Sequence, residues 1–372
     1  MQRFILGLEL SRRFFAESVE PIIRRARPGL KYAAALIGSG SEVLGFDTEM
    51  SADHHWGPRV MMFLEEAGFS ESREAIDRVL RTELPPAFLG YSTNFTEPDP
   101  NDNNVQRLQF VEGGPINHRV EFYTINSYVR SYLDFDASRR IEPADWLTFP
   151  QQKLLSLTGG EVYHDSLGLE AVRKSFGYFP HDVWLYILAS GWNRIGQEEH
   201  LMGRAGIVGD EVGSALIAAR LVRDVMFICH LMERRYAPYP KWFGTSFKHL
   251  ECSAEMLPSL VAVLNSPEWK DRERAMTKVY EQIAAMHNKL RITDPRPDKV
   301  GNFFGRPFKV INLAGGFSDA IRREITDPGV QQIAGGKLVG SIDQISDNTD
   351  ILSDPGWRSK LRALYAYAPS MA

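Results

Sequence analysis

The sequence has few cysteines, no long apolar run and no large excess of either charge. Two cysteines, Cys229 and Cys252, occur in 372 residues, too few for a disulfide framework, a cysteine-rich zinc site or a CxxC redox centre. No stretch approaches the ~18 uninterrupted apolar residues that span a bilayer, because the most apolar candidate, 214–232, carries three charged residues at its middle. We therefore expect no membrane partner and a reducing, cytoplasmic location.

The charge balance also argues against a nucleic-acid partner. Lys and Arg total 43 against 47 Asp and Glu, for a net charge of −4, which gives no general attraction to phosphate backbones. We expect no nucleic-acid partner. The first ten residues contain Arg3 and Glu9, so no signal peptide is expected.

Apolar spacing predicts an α+β fold whose second part is helical. In the first part it predicts a helix over 5–26, a buried strand over 32–37, a helix over 71–84 and paired strands over 105–111 and 119–125. Residues 59–67 fit either a strand or the start of a helix. Later helices are predicted over 182–203, 209–236, 255–266, 269–290 and 316–326. We place a small mixed-sheet domain at 1–142 and a helical domain at 143–372, a bundle to about 290 followed by a C-terminal extension packed on it.

The first predicted strand runs into a loop rich in small residues. This glycine loop consists of Gly38, Ser39, Gly40 and Ser41. Such a loop exposes backbone N–H groups and hydroxyls with no bulky side chain between them, which suits phosphate binding. A carboxylate, Asp53, and two imidazoles follow shortly afterwards. A phosphate cradle near a metal ligand is what nucleotide chemistry requires, and the alternative is a tight turn without a ligand.

With these residues the sequence resembles the nucleotidyltransferase superfamily, which includes DNA polymerase beta and the aminoglycoside nucleotidyltransferases. Their pattern is a hydrophobic residue, Gly-Gly or Gly-Ser, a short spacer, and Asp-x-Asp or Asp-x-Glu. The glycine loop matches the first part and Asp53 the first acid. More narrowly, the chain resembles an uncharacterised bacterial family with the motifs SADHHWGP (51–58), QEEHLMGR (197–204) and YAPYPKWFG (236–244). The resemblance implies a nucleotidyltransferase-like α/β domain followed by a helical domain.

The resemblance also implies a divalent metal, Mg²⁺ or Mn²⁺, and a set of ligands. Asp53 is the first ligand, and His55 stands where the superfamily has a second carboxylate. Glu121, on a predicted strand, is the candidate third acid, with Glu112 as the fallback and a solvent-facing role as the alternative. Mg²⁺ prefers oxygen ligands whereas imidazole suits Mn²⁺ or Zn²⁺, so His55 favours either a different metal or a lost activity.

Other interpretations of this stretch stay open. Asp47 and Glu49 also have the Asp-x-Glu spacing. The two histidines could instead pack against Trp56. The tripeptide at 53–55 also occurs in Asp-His-His phosphoesterases, but that class needs an upstream Asp-x-Asp, which this sequence lacks.

The helical domain carries candidate contacts for a triphosphate and a candidate general base. The triphosphate contacts are predicted at Arg204, Arg220, Arg223 and Lys241, with Arg306 a weaker candidate. Glu199, or its neighbour Glu198, is the predicted general base. The alternatives are a structural Arg220–Asp224 ion pair, a solvated helix face for the glutamates, and a packed loop corner for Lys241.

Taken together, these residues and the resemblance imply a metal-dependent nucleotidyltransferase. It would move a nucleoside monophosphate from a nucleoside triphosphate to an acceptor hydroxyl, foremost of a small molecule, and release pyrophosphate. The alternative is a catalytically impaired nucleotide-binding or sensor protein on the same fold, for which His55 is the main support. The pattern leaves the nucleotide, the acceptor and the oligomeric state open.

Overall fold

The structure, a computed structural model, describes residues 4–52, 55–102 and 104–366. The chain divides into two units, one of Met1–Arg140 with Lys153–Gly177, the other of Ile141–Gln152 with Tyr178–Ala372. A small mixed sheet in the first unit and long helices in the second confirm the predicted α+β class. The division differs from the single predicted boundary at 142, because residues 153–177 return to the first unit and add a strand to its sheet.

In the described ranges, six strands and six helices belong wholly or mostly to the first unit. These are α1 (Gly7–Phe14), α2 (Glu20–Ala26), β1 (Tyr32–Leu36), β2 (Arg59–Leu64), α3 (Phe69–Glu83), β3 (Ala87–Phe88), β4 (Tyr91–Ser92), β5 (Arg119–Tyr123), α4 (Ile125–Leu133), then, after α5 (Pro143–Thr148) of the second unit, α6 (Gln151–Thr158), β6 (Glu161–Asp165) and α7 (Leu169–Ser175). A π-helical turn, Phe15–Val19, joins α1 to α2, so the predicted helix over 5–26 is continuous.

Four strands form the main sheet in the order β5-β2-β1-β6. β1 is antiparallel to β2 and β6, and β2 is parallel to β5. Every residue of β1 and β2 is buried, as expected of apolar strands in the middle of a sheet covered on both faces. The predicted strand over 105–111 is wrong: that stretch makes isolated bridges at Val105 and Leu108.

The sheet register brings three segments to one end of the sheet. β1 ends at Leu36, which leads into the glycine loop, while β2 and β5 begin with the register partners Arg59 and Arg119. Because β1 runs antiparallel to β2, the end of β1 meets the starts of β2 and β5. Helix α1 and its continuation pack Leu10, Phe14 and other apolar side chains against the sheet.

The second unit is built mainly of helices. After α5 they are α8 (His181–Ile207), α9 (Glu211–Met232), α10 (Pro240–Phe247), α11 (Ser253–Asn265), α12 (Trp269–Leu290), α13 (Gly316–Arg323), α14 (Pro328–Ala334), α15 (Ile342–Ile345), α16 (Thr349–Ser353) and α17 (Arg358–Leu361), with a two-stranded ribbon of β7 (Gly301–Asn302) and β8 (Lys309–Val310). The five predicted helices of this part are confirmed with small shifts at their ends. No helix in the described ranges combines the length and apolarity needed to cross a bilayer.

A buried carboxylate ties the C-terminal segment to the second unit. Asp145, on α5, is fully buried. Its Oδ1 accepts a hydrogen bond from Arg358 Nη1 at 2.8 Å and another from Arg362. A buried carboxylate without a partner would destabilise the fold, and the two guanidinium groups compensate its negative charge. The ion pairs therefore hold the end of the described chain to α5.

We expect Asp145→Asn to lower the free energy of unfolding by about 3 kcal/mol, since it removes the buried carboxylate that matches the charges of Arg358 and Arg362. Urea denaturation followed by circular dichroism measures the change, and limited proteolysis reports release of residues beyond 354. The exposed Asp350→Asn is the control. Equal stability of the two variants would contradict the role given to Asp145.

Candidate functional site

The glycine loop requires glycine at two of its positions. Gly38 has φ +81° and Gly40 has φ +149°, backbone conformations that other residues rarely adopt. The Gly38 N–H donates to the Ser156 carbonyl at 2.8 Å, and a side chain at Gly38 would collide with the Tyr128 hydroxyl. The loop is therefore anchored at its first residue by α6 and by the aromatic side chains of α4.

Beyond that anchor, the glycine loop and the two residues after it contain a row of unused backbone donors. Within the described part of the chain, the five consecutive N–H groups of residues 39–43 donate no hydrogen bond. The Ser41 carbonyl, by contrast, accepts from Leu44 at 3.2 Å and from Phe46 at 2.9 Å. Ser39 is exposed, Gly40 and Ser41 are half-buried, and Glu42 and Val43 are buried. Successive N–H groups left free in a turn form a concave binding site for anions.

A buried ion pair fixes the shape of this loop. Arg59 is 6% exposed and Glu42 is 4% exposed. Arg59 donates to Glu42 Oε1 from Nε at 3.0 Å and from Nη2 at 2.7 Å, and Nη2 also donates to the Ser39 carbonyl at 3.0 Å. Burial opposes the charge of Arg59, but Glu42 and Glu121 outweigh it and raise the Arg59 pKa. A Cβ on Gly40 would lie 2.6 Å from Glu42 Oε2 and 2.7 Å from Arg59 Nη2.

Neither Arg59 nor Glu42 belongs to a motif that marks it in the sequence. The available signal was a single arginine at the start of an otherwise apolar strand, RVMMFL. Such a charge in a buried strand needs a partner. The sequence does not say which of the surrounding carboxylates supplies it.

The structure brings two of the predicted metal ligands to the same end of the sheet. Asp53 and His54 lie outside the described residues. The His55 Nδ1 contacts Arg119 Nη1, and Arg119 Nη2 donates to Glu121 Oε1 at 2.9 Å. Arg119 is nearly buried, so a guanidinium lies between His55 and Glu121.

This arrangement does not fit a divalent metal. In the ranges that the structure describes, no three His, Cys, Asp or Glu side chains form a group that could hold one. A metal ion between His55 and Glu121 would meet the positive charge of Arg119, which repels it. The described residues therefore supply two separated donors and a competing cation rather than a metal centre.

The alternative acids do not complete the site. Asp47 is buried, and its Oδ2 accepts from the Gly7 N–H at 2.7 Å and from Trp56 Nε1 at 3.1 Å. It therefore stabilises the N-terminus of α1. Glu49 and Glu112 are exposed.

Glu199, the predicted general base, lies inside the second unit. It is 3% exposed, and its oxygens accept from the N–H groups of Ile311 at 2.6 Å and Asn312 at 3.2 Å. Burial raises the pKa of Glu199 to about 7, although the two N–H groups oppose this. The alternative of a solvated helix face is wrong for Glu199. General-base action stays a prediction, and the role that the structure describes is to hold the segment after β8 against α8.

Arg220 and Asp224 of α9 each form an ion pair, but with residues of α8 rather than with each other. Asp224 accepts from Arg194 Nε at 3.0 Å through both oxygens, and Arg220 Nη2 donates to Glu198 Oε1 at 2.5 Å. The alternative Arg220–Asp224 pair is therefore not formed. Burial raises the pKa of Asp224, and Arg194 opposes the shift.

The remaining predicted triphosphate contacts lie in the second unit, whereas the glycine loop is in the first. Arg204 and Lys241 are exposed. Lys241 Nζ lies 4.9 Å from the centre of the Trp242 ring, and Arg223 Cζ lies 5.0 Å from that of Phe227. Lys241 and Arg223 therefore cover aromatic surface within their own unit. Contact of Arg204, Arg223 and Lys241 with a triphosphate stays a prediction.

We expect Arg59→Met to lower the free energy of unfolding by about 3 kcal/mol, because Glu42 then stays buried without its partner. The double variant Arg59→Met/Glu42→Gln should recover much of that loss. Urea denaturation provides the comparison, with the exposed Arg78→Met as control. If the double variant were as unstable as the sum of its two single variants, the ion pair would not be the source of the effect.

The raised pKa of Glu199 predicts a pH dependence with a definite sign. The folded state holds the proton more tightly than the unfolded state, so Glu199 favours folding at low pH and loses that contribution as the pH rises from about 4.5 to about 7. Stability of wild type relative to Glu199→Gln should therefore fall by up to about 3 kcal/mol across this range. Denaturation curves at several pH values test this, with exposed Glu268→Gln as control. A constant difference would contradict it.

Comparison with known proteins adds a partial family match. Residues 146–243 match the model of a family described as a domain of unknown function (DUF4037). This span includes the 197–204 motif and most of the 236–244 motif, but neither the glycine loop nor residues 51–58. No curated protein matches the chain. A nucleotidyltransferase-like protein from Exiguobacterium sibiricum 255-15 aligns over 80% of this chain and 82% of its own, at 9% identity and a TM-score of 0.28. That score is too low to establish a shared fold.

Proposed function

We propose that the first unit binds the phosphates of a nucleoside triphosphate on the glycine loop, and that the protein transfers the nucleoside monophosphate to an acceptor hydroxyl. The observation that carries the proposal is the row of N–H groups at residues 39–43, none of which donates a hydrogen bond within the described ranges. The resemblance of the glycine loop and Asp53 to the nucleotidyltransferase pattern supports it independently.

The buried ion pair suits such a loop. An anion-binding loop works best when its donors are already in place, because no energy is then spent on orienting them. Arg59 orients the loop through the Ser39 carbonyl while Glu42 matches its charge. Arg59 therefore positions the donors and leaves the phosphates to the backbone.

In the proposed reaction, the acceptor oxygen forms a bond to the α-phosphorus and the bond to pyrophosphate breaks. The hydroxyl proton passes to solvent. A divalent metal, Mg²⁺ or Mn²⁺, would neutralise charge on the phosphates if one is bound. The described residues themselves do not form a group that could hold it.

A second candidate function is nucleotide binding without transfer, as in a sensor. One observation favours it: Arg119 lies between His55 and Glu121 and donates to Glu121. A guanidinium there can match phosphate charge without a metal. Arg119 Nε is buried and has no hydrogen-bond partner in the described part of the chain.

Binding is tested by thermal shift with ATP, GTP, CTP and UTP, each with Mg²⁺ or Mn²⁺. We expect one nucleotide to stabilise the wild type, and Gly40→Ala to weaken its binding at least tenfold, because the new Cβ displaces Glu42 and Arg59. Gly45→Ala is the matched control, since Gly45 also has a positive φ, +71°, but has open space around it. Equal binding by both variants would contradict the loop's role.

Pyrophosphate release separates the two candidate functions. Release that needs a metal and disappears in Asp53→Asn would support transfer. Stabilisation by a nucleotide without release, across a panel of small-molecule acceptors and both metals, would support the sensor. Stabilisation by no nucleotide would contradict both candidates.

A further inference from the structure

An apolar groove lies on the surface of the second unit between α9 and α11. Its volume is about 540 Å³, and the N-terminal half of α9 and the C-terminal end of α11 form its sides. Val212 and Leu216 of α9 are 72% and 63% exposed, and Leu264 of α11 is 55% exposed. Contiguous exposed apolar side chains of this kind mark an interaction site more often than ordinary surface.

The exposed residues of α9 follow the spacing of a helix–helix contact. Val212, Leu216 and Ala219 are four and three residues apart, so they share one face of the helix. Ala215 lies beside them, and it is exposed as well. Small residues between larger ones let a second helix approach closely. The face is therefore shaped for a helix.

This face is complementary to itself. If two copies of α9 pack antiparallel about a two-fold axis between residues 215 and 216, each Leu216 faces Ala215 of the second copy. Each Val212 likewise faces Ala219 of the second copy. Large side chains then meet small ones along the whole stripe, that is, the row formed by Val212, Ala215, Leu216 and Ala219. An isologous contact requires such self-complementarity.

The charges at the two ends of the stripe agree with the same register. Asp210 and Glu211 lie at its N-terminal end and Arg220 at its C-terminal end. Asp210 accepts a hydrogen bond from the Gly213 N–H and Glu211 pairs with Arg272, but the Glu211 side chain is still 36% exposed. Antiparallel packing therefore brings Glu211 of one copy near Arg220 of the other. Arg220 is 56% exposed even though it pairs with Glu198, so its guanidinium remains accessible. Complementary charge at the rim of an apolar core fixes the orientation of an interface.

We propose that a second copy of this chain occupies the groove, forming a two-fold dimer through antiparallel α9 helices. The groove beside α9 receives the Leu216 side chain of the second copy. This proposal does not depend on the glycine loop, because its residues belong to the second unit. It shares one residue, Arg220, with the predicted triphosphate contacts.

The mass of the protein in solution tests the proposal. Light scattering after size exclusion should show a dimer for the wild type, and Leu216→Arg should raise the dimer dissociation constant at least 100-fold. The matched control is Leu364→Arg, which adds the same charge at another exposed leucine and should stay dimeric. Circular dichroism checks that both variants fold. A wild type that is monomeric up to about 100 μM, or a dimer that Leu216→Arg leaves intact, would overturn the proposal.

Disulfide trapping tests the register and does not rely on a destabilising substitution. A mixture of Val212→Cys and Ala219→Cys proteins should form a disulfide-linked heterodimer on oxidation, since these positions face each other across the axis. Val208→Cys alone should not form a linked dimer, although Val208 is 78% exposed. The wild type, with Cys229 buried and Cys252 half-buried, gives the background. A dimer without the mixed disulfide, or efficient linkage of the Val208→Cys variant to itself, would overturn the antiparallel register.

Discussion

The ion pair between Arg59 and Glu42 is the interaction on which the candidate site depends. It joins the first residue of β2 to the turn after β1, and it does so below the surface. Two buried charges are stable only when each is matched and hydrogen-bonded. Because Arg59 bonds both to Glu42 and to the Ser39 carbonyl, the pair restrains the backbone of the glycine loop.

A second arginine, Arg119, lies at the same end of the sheet, next to two of the predicted metal ligands. Arg119 is the register partner of Arg59 and contacts both His55 and Glu121. In the superfamily that the sequence resembles, carboxylates at such positions share a metal. Here Arg119 places a positive charge between His55 and Glu121.

Local patterns in the sequence predicted the elements that depend on local forces. Helical periodicity located α8, α9 and α12, and the apolar run ending in glycines located β1. The partners of long-range contacts were not predictable in this way. Alternation at 119–125 indicated a strand but not that its neighbour would be the parallel β2. Spacing along α9 suggested Arg220 with Asp224, but the packed bundle supplied Arg194 instead. The burial of Glu199 depends on a segment more than a hundred residues later.

The return of β6 to the first unit bears on how the chain acquires its structure during synthesis. β1 is made early, but its second neighbour is β6, Glu161–Asp165. Until the ribosome has released that strand, one edge of β1 has no partner, and β1 is entirely apolar. An unpaired apolar edge favours association with other chains. Between the synthesis of residue 64 and that of residue 165, one edge of β1 is therefore available for pairing with another chain.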